Sequence, residues 1–293
     1  MSRLRADALL LLVAVIWGFA FIAQKAGMQS LGPFGFGGGR FLLSFLVVLP
    51  FAMREVRKVI DRRALVLCVP LCIAFFGGVI LQQLGLQTTS VTNAGFLTGL
   101  YVIFTPLLAL VFYRKAPGPT VWVACAMACA GTFLLSGGRL DAFVAGDWLI
   151  MASAICFAVQ IMLLGYLVQR TGRPLFLACV QYAFCAIVGL SVAAFTEPLN
   201  FAAIADSWLP LLYAGVISGG IAYTLQGVAQ QYAPPSDAAI IMSAEALFAA
   251  LAAAVILHER LTPMAWAGCG LLFSAVLVVE AAAYLVAKRN PFR

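Results

Sequence analysis

Long, uninterrupted apolar runs dominate this sequence and restrict the folds open to it. A backbone in hydrocarbon must satisfy its hydrogen bonds within each segment or in a closed barrel, so an apolar run of ~20 residues predicts a membrane-spanning helix. Barrel strands would alternate polar and apolar residues, and these runs do not. Only 10% of the 293 residues are charged and 64% are hydrophobic, whereas a soluble domain has roughly a quarter charged residues. The sequence therefore predicts an all-α integral membrane protein in a lipid bilayer.

The apolar runs divide the chain into ten predicted spans, and the connections between them are too short to hold a soluble catalytic domain. The first span follows Arg3 and Arg5, as in a signal peptide. It contains Trp17 and has no clear small-residue cleavage site, so we expect a retained helix. The predicted spans are residues 7–26, 34–53, 64–86, 90–113, 118–136, 147–169, 175–195, 208–231, 235–257 and 263–286.

The lysines and arginines predict the orientation of the chain, because positive charges concentrate in cytoplasmic loops. With the N-terminus inside, fourteen positive residues face the cytoplasm and three, Lys25, Arg139 and Arg260, face the other side. Both termini are therefore predicted to be cytoplasmic. The net charge of +7 then has a topological meaning and implies no nucleic-acid partner. The cytoplasmic set is Arg3, Arg5, Arg54, Arg57, Lys58, Arg62, Arg63, Arg114, Lys115, Arg170, Arg173, Lys288, Arg289 and Arg293.

Residues that could hold a metal or build an active site are sparse. All eight cysteines fall within predicted spans, and His258 is the only histidine. No cluster of histidines or carboxylates accompanies the cysteines, so packing is favoured over a metal site or a disulfide, and no cofactor is expected. The same scarcity disfavours a membrane-embedded enzyme.

The two halves of the chain resemble each other at an offset of about 140 residues. Five spans per half is an odd number, so the second half would enter the membrane from the opposite side. Residues 1–140 and 141–293 would then be inverted five-helix repeats, an architecture that transporters use for alternating access. A receptor or assembly subunit would not need it. The matching positions are Ala6-Asp7 with Gly146-Asp147, Trp17-Gly18 with Phe157-Ala158, Arg40-Phe41 with Gln181-Tyr182, and Gly77-Gly78 with Gly219-Gly220.

Several short motifs occur in order along the whole chain: Trp17-Gly18, Arg40-Phe41, the stretch from Gln87 to Leu97, Thr105-Pro106, Ala238 to Ala249 with Glu245, and His258-Glu259-Arg260-Leu261. In these motifs the chain resembles the drug/metabolite transporter superfamily, and within it the ten-helix EamA-type exporters. The resemblance implies a 5+5 fold, a bacterial inner-membrane location and export of metabolites or amino acids. Among its subgroups, the chain resembles the bacterial aromatic amino acid exporters.

Two charged residues within the spans are the first site candidates, because a charge there is costly unless it faces a wet cavity or a partner. Arg40 could bind a substrate carboxylate or pair with Glu245, or it could simply hold helix ends together. Glu245 could bind a substrate ammonium, carry a coupling proton, or form a helix-to-helix hydrogen bond while protonated. The first half has Tyr101-Val102 where the second has Ala244-Glu245, so a role for Glu245 would not be symmetric.

Amides and aromatic rings within the spans complete the predicted substrate site. The amides could bind a zwitterion or bond across helices, and the rings could wall a cavity for a flat ligand or serve as ordinary packing. These residues are Gln82, Gln83, Gln160, Gln181, Gln226, Trp17, Phe96, Tyr101, Tyr182 and Tyr223.

Two glycine pairs are predicted to break their spans or to permit close helix crossings, and a proline is predicted to permit a kink; all of them are candidate hinges. They are Gly77-Gly78 in the third span, Pro106 in the fourth and Gly219-Gly220 in the eighth. The group His258-Glu259-Arg260 is expected to cap a helix end, with a gating ion pair as the alternative.

The predicted function is export of a small metabolite, most simply an amino acid with an aromatic or large apolar side chain. Another metabolite or a drug-like compound would suit the same fold. No Gly-rich nucleotide-binding motif occurs, so gradients would drive transport. Both proton coupling and facilitation are compatible with the sequence.

Overall fold

A computed structural model describes residues 1–56, 61–114, 117–135, 144–198, 201–256, 258 and 260–289 of the chain. The predicted boundary between the halves lies outside the described residues. So do six residues of the predicted charge pattern and helix cap: Arg57, Lys58, Lys115, Arg139, Glu259 and Arg293.

Helices make up all the regular structure of the described residues. Nine helical segments there are long and apolar enough to cross a membrane, and the remaining predicted span, the fifth, corresponds to an apolar helix of 17 residues, Pro119–Leu135. The prediction of an all-α membrane protein is therefore confirmed. The helices α1 to α14 are Arg3–Gly27, Pro33–Val56, Arg62–Leu86, Val91–Gly99, Tyr101–Tyr113, Pro119–Leu135, Ala145–Thr171, Pro174–Thr196, Phe201–Asp206, Trp208–Leu212, Thr224–Gln230, Pro235–Met242, Glu245–Ile256 and Pro263–Arg289, with a π-helix, Tyr213–Tyr223, between α10 and α11.

The fourth and ninth spans are each broken into two consecutive helices. The break between α4 and α5 falls at Leu100, whose N–H bonds the carbonyl of Leu97 three residues back. The break between α12 and α13 falls at Ser243 and Ala244, and the N–H of Ala244 bonds the carbonyl of Ile241 in the same way. Such tighter turns interrupt the α-helical ladder without a loop.

Helix α5 continues through Pro106, and whether this proline acts as a hinge stays a prediction. Proline lacks the N–H that would bond the carbonyl of Val102. That carbonyl instead accepts from Cys125 Sγ of α6 at 3.2 Å. A cysteine of the neighbouring helix therefore satisfies the freed backbone group.

The predicted break at Gly77-Gly78 is wrong, because α3 is continuous there. A Cβ on Gly78 would lie 2.9 Å from the ring of Phe157 in α7, so Gly78 permits close packing of these two helices. Gly219 and Gly220 lie in the π-helix, an irregular segment of the eighth span. Whether any of these glycines acts as a hinge stays a prediction.

Helices α2 and α8 pack closely and run antiparallel, and a carboxylate of each caps the start of the other. Glu197, just after α8, accepts from the N–H groups of Phe34 and Gly35 at 2.9 and 2.7 Å. Glu55, near the end of α2, accepts from the N–H of Phe176 at 2.9 Å. Negative charge near a helix start satisfies free N–H groups and interacts favourably with the helix dipole. This pair forms a fixed frame that joins the two halves beside the cavity.

Candidate functional site

A buried cavity lies between the two halves of the chain, part-way along the spans. The cavity volume, measured as the space open to the centre of a water molecule, is about 20 Å³. One or two ordered waters require roughly this volume. In this conformation the cavity is too small for a metabolite. The lining residues are Trp17, Phe21, Gln24, Arg40, Gln82, Thr98, Tyr101, Phe157, Gln160, Ile161, Ser218, Tyr223, Gln226 and Glu245.

Most of the predicted site residues meet at this cavity. Phe96, Gln181 and Tyr182 do not line it. Phe96 packs instead against Phe133, with ring centroids 6.4 Å apart. The residues brought together are Trp17, Arg40, Gln82, Tyr101, Gln160, Tyr223, Gln226 and Glu245.

Arg40 of α2 is 2% exposed, and its guanidinium lies 4.7 Å from the centroid of the Phe41 ring. Its Nε and Nη2 atoms have no hydrogen-bond partner, and Arg40 forms no ion pair with Glu245. The predicted pairing of these two residues is therefore wrong. An unpaired buried guanidinium is costly, so this site favours an anionic partner.

Glu245 is the first residue of α13 and Tyr101 is the first residue of α5, and each of these helices follows a break. Both side chains are buried, at 3% and 2% exposure, and their polar groups are neighbours. The Oη of Tyr101 and the Oε1 of Glu245 form no hydrogen bond of normal geometry. The two breaks thus place two unsatisfied polar groups, one from each half, side by side in the cavity.

A chain of four glutamine amides crosses α7, α8 and α11 at one side of the cavity. Gln226 Nε2 donates to Gln160 Oε1 and to Gln230 Oε1, both at 3.2 Å. Gln160 Nε2 donates in turn to Gln181 Oε1 at 3.1 Å. Gln181 therefore supports the cavity wall from behind, and the cross-helix interpretation holds for these amides. The Oε1 of Gln226 is left without a partner.

Two further amides flank the opposite side of the cavity. Gln82 Nε2 donates to Thr98 Oγ1 at 3.1 Å, and the Oε1 of Gln24 has no partner. Gln83 does not line the cavity, and both polar atoms of its buried amide lack partners.

Aromatic rings form one wall of the cavity and a layer behind it. Trp17 and Tyr223 lie 4.5 Å apart between centroids, and Tyr223 meets the edge of Phe75 at 4.8 Å. Phe41 stacks on Tyr182 at 5.8 Å. The layer of Phe41, Phe75 and Tyr182 orients the rings that line the cavity.

Carbonyl groups of the π-helix accept hydrogen bonds from this aromatic wall. Trp17 Nε1 donates to the Ser218 carbonyl at 3.3 Å, and Tyr182 Oη donates to the Gly219 carbonyl at 2.9 Å. In a π-helix, i→i+5 bonding changes which carbonyls face neighbouring groups. The eighth span is thereby tied to α1 and α8 at the level of the cavity.

Six lining residues were absent from the sequence-based prediction: Phe21, Gln24, Thr98, Phe157, Ile161 and Ser218. Phe157 could have been found, because it is the repeat partner of Trp17. Gln24 lies near the end of the first predicted span and was not considered as a site residue, although it is 4% exposed. The other four carry no signal that separates them from packing residues.

Comparison with known proteins places this fold in a family. The sequence pattern of the EamA-like transporter family matches residues 4–137 and again residues 144–281. An uncharacterized transporter of Archaeoglobus fulgidus is 33% identical over 283 residues, covering 95% of this chain and 87% of that protein. The uncharacterized transporter YwfM of Bacillus subtilis is 26% identical over 282 residues, covering 93% and 92%.

Two further matches agree with this result. The uncharacterized inner membrane transporter YedA of Escherichia coli K12 is 24% identical over 285 residues, covering 92% of this chain and 89% of that protein. A solved crystal structure superposes with a TM-score of 0.78 over 96% of this chain and 99% of the other, at 17% identity, which supports the fold alone. This chain therefore belongs to the EamA-like transporter family and is a multi-pass membrane transporter.

Proposed function

We propose that this transporter exports a zwitterionic metabolite, an amino acid with an aromatic or large apolar side chain, by alternating access across a bacterial inner membrane. The observation that carries the proposal is the buried, unpaired guanidinium of Arg40 in one cavity with the carboxyl group of Glu245 and a wall of aromatic rings.

The polar groups of the cavity suit the two charges of an amino acid. The Nε and Nη2 atoms of Arg40 lie on one edge of the guanidinium and can bind both oxygens of a carboxylate side by side. Glu245 can receive the ammonium group, with Tyr101 beside it. Binding would pair groups that are buried without partners in the empty site, so it relieves a desolvation cost that the fold already carries.

The aromatic wall suits the substrate's side chain. Trp17 and Tyr223 would offer flat apolar surface, and aromatic pairs add about 0.5–1.5 kcal/mol beyond their area burial. The cavity must expand to admit such a molecule, because it has only about 20 Å³ for the centre of a water molecule. The structure therefore shows the cavity in a contracted form.

Three observations support inverted repeats at residues 1–140 and 141–293. The family pattern matches twice in succession. The breaks in the spans fall at equivalent places, in the fourth span of each half. The reciprocal caps of Glu55 and Glu197 relate α2 and α8 by a two-fold exchange, as expected for antiparallel partners in an inverted pair.

Cytoplasmic termini are proposed from the charge distribution. Arg54 at the end of α2 and Arg62 and Arg63 at the start of α3 lie at one face, and Arg170 at the end of α7 pairs there with Asp61. A positive face of this kind marks the cytoplasmic side.

Counterflow in proteoliposomes tests the substrate and the site together. Liposomes holding the purified protein are loaded with phenylalanine, and uptake of labelled phenylalanine is followed against empty liposomes. We expect uptake well above the empty control, and a reduction of tenfold or more with Arg40→Gln. Arg170→Gln is the matched control, since Arg170 is exposed and distant from the cavity. No counterflow of any amino acid by the folded protein would refute the substrate class and leave another metabolite or a drug-like compound.

A further inference from the structure

The first halves of the two broken spans are each held at their outer end by side-chain hydrogen bonds, at opposite faces of the molecule. These first halves are α4 and α12. We call the bonds at the start of α12 the α12 latch and those at the start of α4 the α4 latch.

The α12 latch joins α1 to α12 through an arginine. Arg3 Nε donates to both carboxylate oxygens of Asp7 at 2.8 and 2.7 Å, and Arg3 Nη2 donates to Asp237 Oδ2 at 2.9 Å. Asp7 is 2% exposed, and Glu280 of α14 lies beside it. Two carboxylates therefore share one guanidinium, with a third carboxyl group beside Asp7, and α1, α12 and α14 meet there. The side chains of Arg3 and Asp237 are 28% and 18% exposed, so water can replace this contact.

The α4 latch joins α7 and α1 to the residue just before the N-cap of α4. Thr89 Oγ1 donates to Asp147 Oδ1 at 3.0 Å, and Lys25 Nζ donates to the Thr89 carbonyl at 2.8 Å. The other oxygen of Asp147 accepts from the N–H of Val144 at 2.9 Å. The start of α7 and the end of α1 thus hold the start of α4 from two sides.

The two latches correspond under the repeat. Asp7 and Asp147 are repeat partners at the starts of the first and sixth spans. A second bond also has its counterpart, because Gln169 Nε2 near the end of α7 donates to the Gln230 carbonyl before α12 at 3.0 Å, as Lys25 does to Thr89 before α4. Each broken span is therefore held at its start by the beginning of one neighbouring span and the end of another.

The half-helices are built to move at their inner ends. Each half-helix ends at a break, and the first residue after the break lines the cavity: Tyr101 follows the break after α4, and Glu245 follows the break after α12. The buried side of α12 is largely alanine and isoleucine, and Ser243 Oγ bonds only to its own helix, at Ile240. Apolar contacts can slide, whereas a hydrogen bond must break, so the latches are the contacts that resist displacement of the half-helices.

We propose that α4 and α12 are the two gates of the transporter, that each pivots at its break, and that its latch holds it shut. Both latches are made in this structure, in agreement with its small cavity. Release of the α12 latch opens the cavity to the face of Arg3, and release of the α4 latch opens it to the face of Asp147. The proposal rests on alternating access and is independent of the substrate.

Side-specific labelling of the cavity tests the gates. The substitution Ser218→Cys places a thiol in the cavity, and its reaction with a membrane-impermeant maleimide is measured in vesicles of each orientation. The labelling of the native cysteines, measured in the parent protein, is subtracted. We expect Arg3→Gln to raise labelling at least fivefold from the Arg3 face alone. Thr89→Val with Asp147→Asn should raise it to a similar degree from the opposite face alone.

Matched controls remove contacts at the same faces without touching a latch. Arg170→Gln breaks the exposed ion pair with Asp61 at the Arg3 face. Thr196→Ala removes a hydroxyl that bonds only within α8, to Val192, at the opposite face. Neither should change labelling. The proposal would be overturned if labelling of the cavity thiol rose equally from both faces or did not rise at all. This holds for latch variants whose elution profile and melting temperature match those of the parent protein.

A disulfide provides a second, independent measurement. Thr89→Cys with Asp147→Cys should oxidise to a bond that locks the α4 gate and suppresses labelling from that face, and reduction should restore it. Unchanged labelling with the bond formed would contradict the gate. If side-specific labelling holds but no amino acid is transported, the substrate proposal fails and the gates stand. If counterflow holds and labelling has no side preference, only the gates fail.

Discussion

At the residue scale, the cavity combines polar groups that the fold buries without giving them partners. Arg40, Glu245, Tyr101 and Gln226 each have at least one such atom, whereas buried polar atoms in most proteins are satisfied. The unsatisfied groups come from both halves and face one space. Gln226 also belongs to the glutamine chain, so the unsatisfied groups of the cavity connect directly to a network whose other members bond to one another.

Glu245→Gln separates substrate binding from proton coupling. The amide keeps the shape of the side chain but cannot take up and release a proton. If Glu245 carries the coupled proton, the variant should lose the stimulation of export by a pH gradient, in addition to the loss of counterflow at equal pH that weaker ammonium binding causes. Measurement in liposomes with and without the gradient, beside Glu55→Gln, gives the comparison. Equal stimulation in wild type and Glu245→Gln would assign coupling elsewhere.

At the element scale, irregular helices determine where the cavity groups lie. The breaks in the fourth and ninth spans begin the helices of Tyr101 and Glu245, and the π-helix of the eighth span directs two carbonyls at Trp17 and Tyr182. Regular helices at these places would shift the register of every following residue relative to the cavity. The site thus depends on departures from ideal geometry within otherwise apolar spans.

The π-helix should tolerate a methyl group at one glycine and not at its neighbour. A Cβ on Gly219 would collide with Ser44 Oγ, which already bonds the carbonyls of Arg40 and Gly215, whereas a Cβ on Gly220 would have its nearest neighbour at 3.4 Å. Overpacking costs typically about 1–3 kcal/mol. Gly219→Ala should therefore lower the melting temperature more than Gly220→Ala, and Ser44→Ala should restore part of the loss. Equal effects of the two glycine variants would show that the contact with Ser44 is unimportant.

The reciprocal caps predict a stability effect that is nearly the same at both ends of the α2 and α8 pair. Loss of a capping side chain typically costs about 0.5–2 kcal/mol. Glu197→Ala and Glu55→Ala should each lower the melting temperature, since each leaves backbone N–H groups of the partner helix unpaired. Thr196→Ala, beside the first cap, is the control. No change in either variant would mean that water satisfies these N–H groups as well as the carboxylates do.

At the scale of the whole molecule, the two halves depend on each other. The closest helix pairs, α2 with α8, α3 with α7, and α6 with α14, each join one half to the other. Gly131 of α6 and Gly268 of α14 permit one such approach, since a Cβ on either would lie within 3 Å of the other helix. Separate halves would expose these surfaces to lipid.

Expression of the halves as separate chains tests this dependence. Residues 1–140 or 141–293 alone should accumulate poorly in the membrane, and the two together should restore both accumulation and counterflow. Quantified membrane yield and transport, compared with the intact chain, measure the effect. A single half that is stable and active would contradict the dependence.

The sequence alone was sufficient for the helical class, the positions of the spans and most of the cavity residues. Hydropathy over about 20 residues reflects a local physical requirement, burial of the backbone in hydrocarbon. Charged and amide residues within a span are few because each is costly, so Arg40, Glu245 and Gln160 could be recognised without any knowledge of their neighbours.

Only the tertiary structure decided which of those residues share one space. From the sequence, Arg40 and Glu245 could have formed an ion pair with each other or could have bound a substrate separately. In the structure both line the cavity and they form no ion pair. A break was predicted at Gly77-Gly78, yet α3 is continuous there, because a glycine that permits close packing and one that interrupts a helix look the same in a sequence. The breaks at Leu100 and at Ser243 and Ala244 became visible only in the structure, which also shows that they place Tyr101 and Glu245 at the same cavity although the two residues are far apart in the chain.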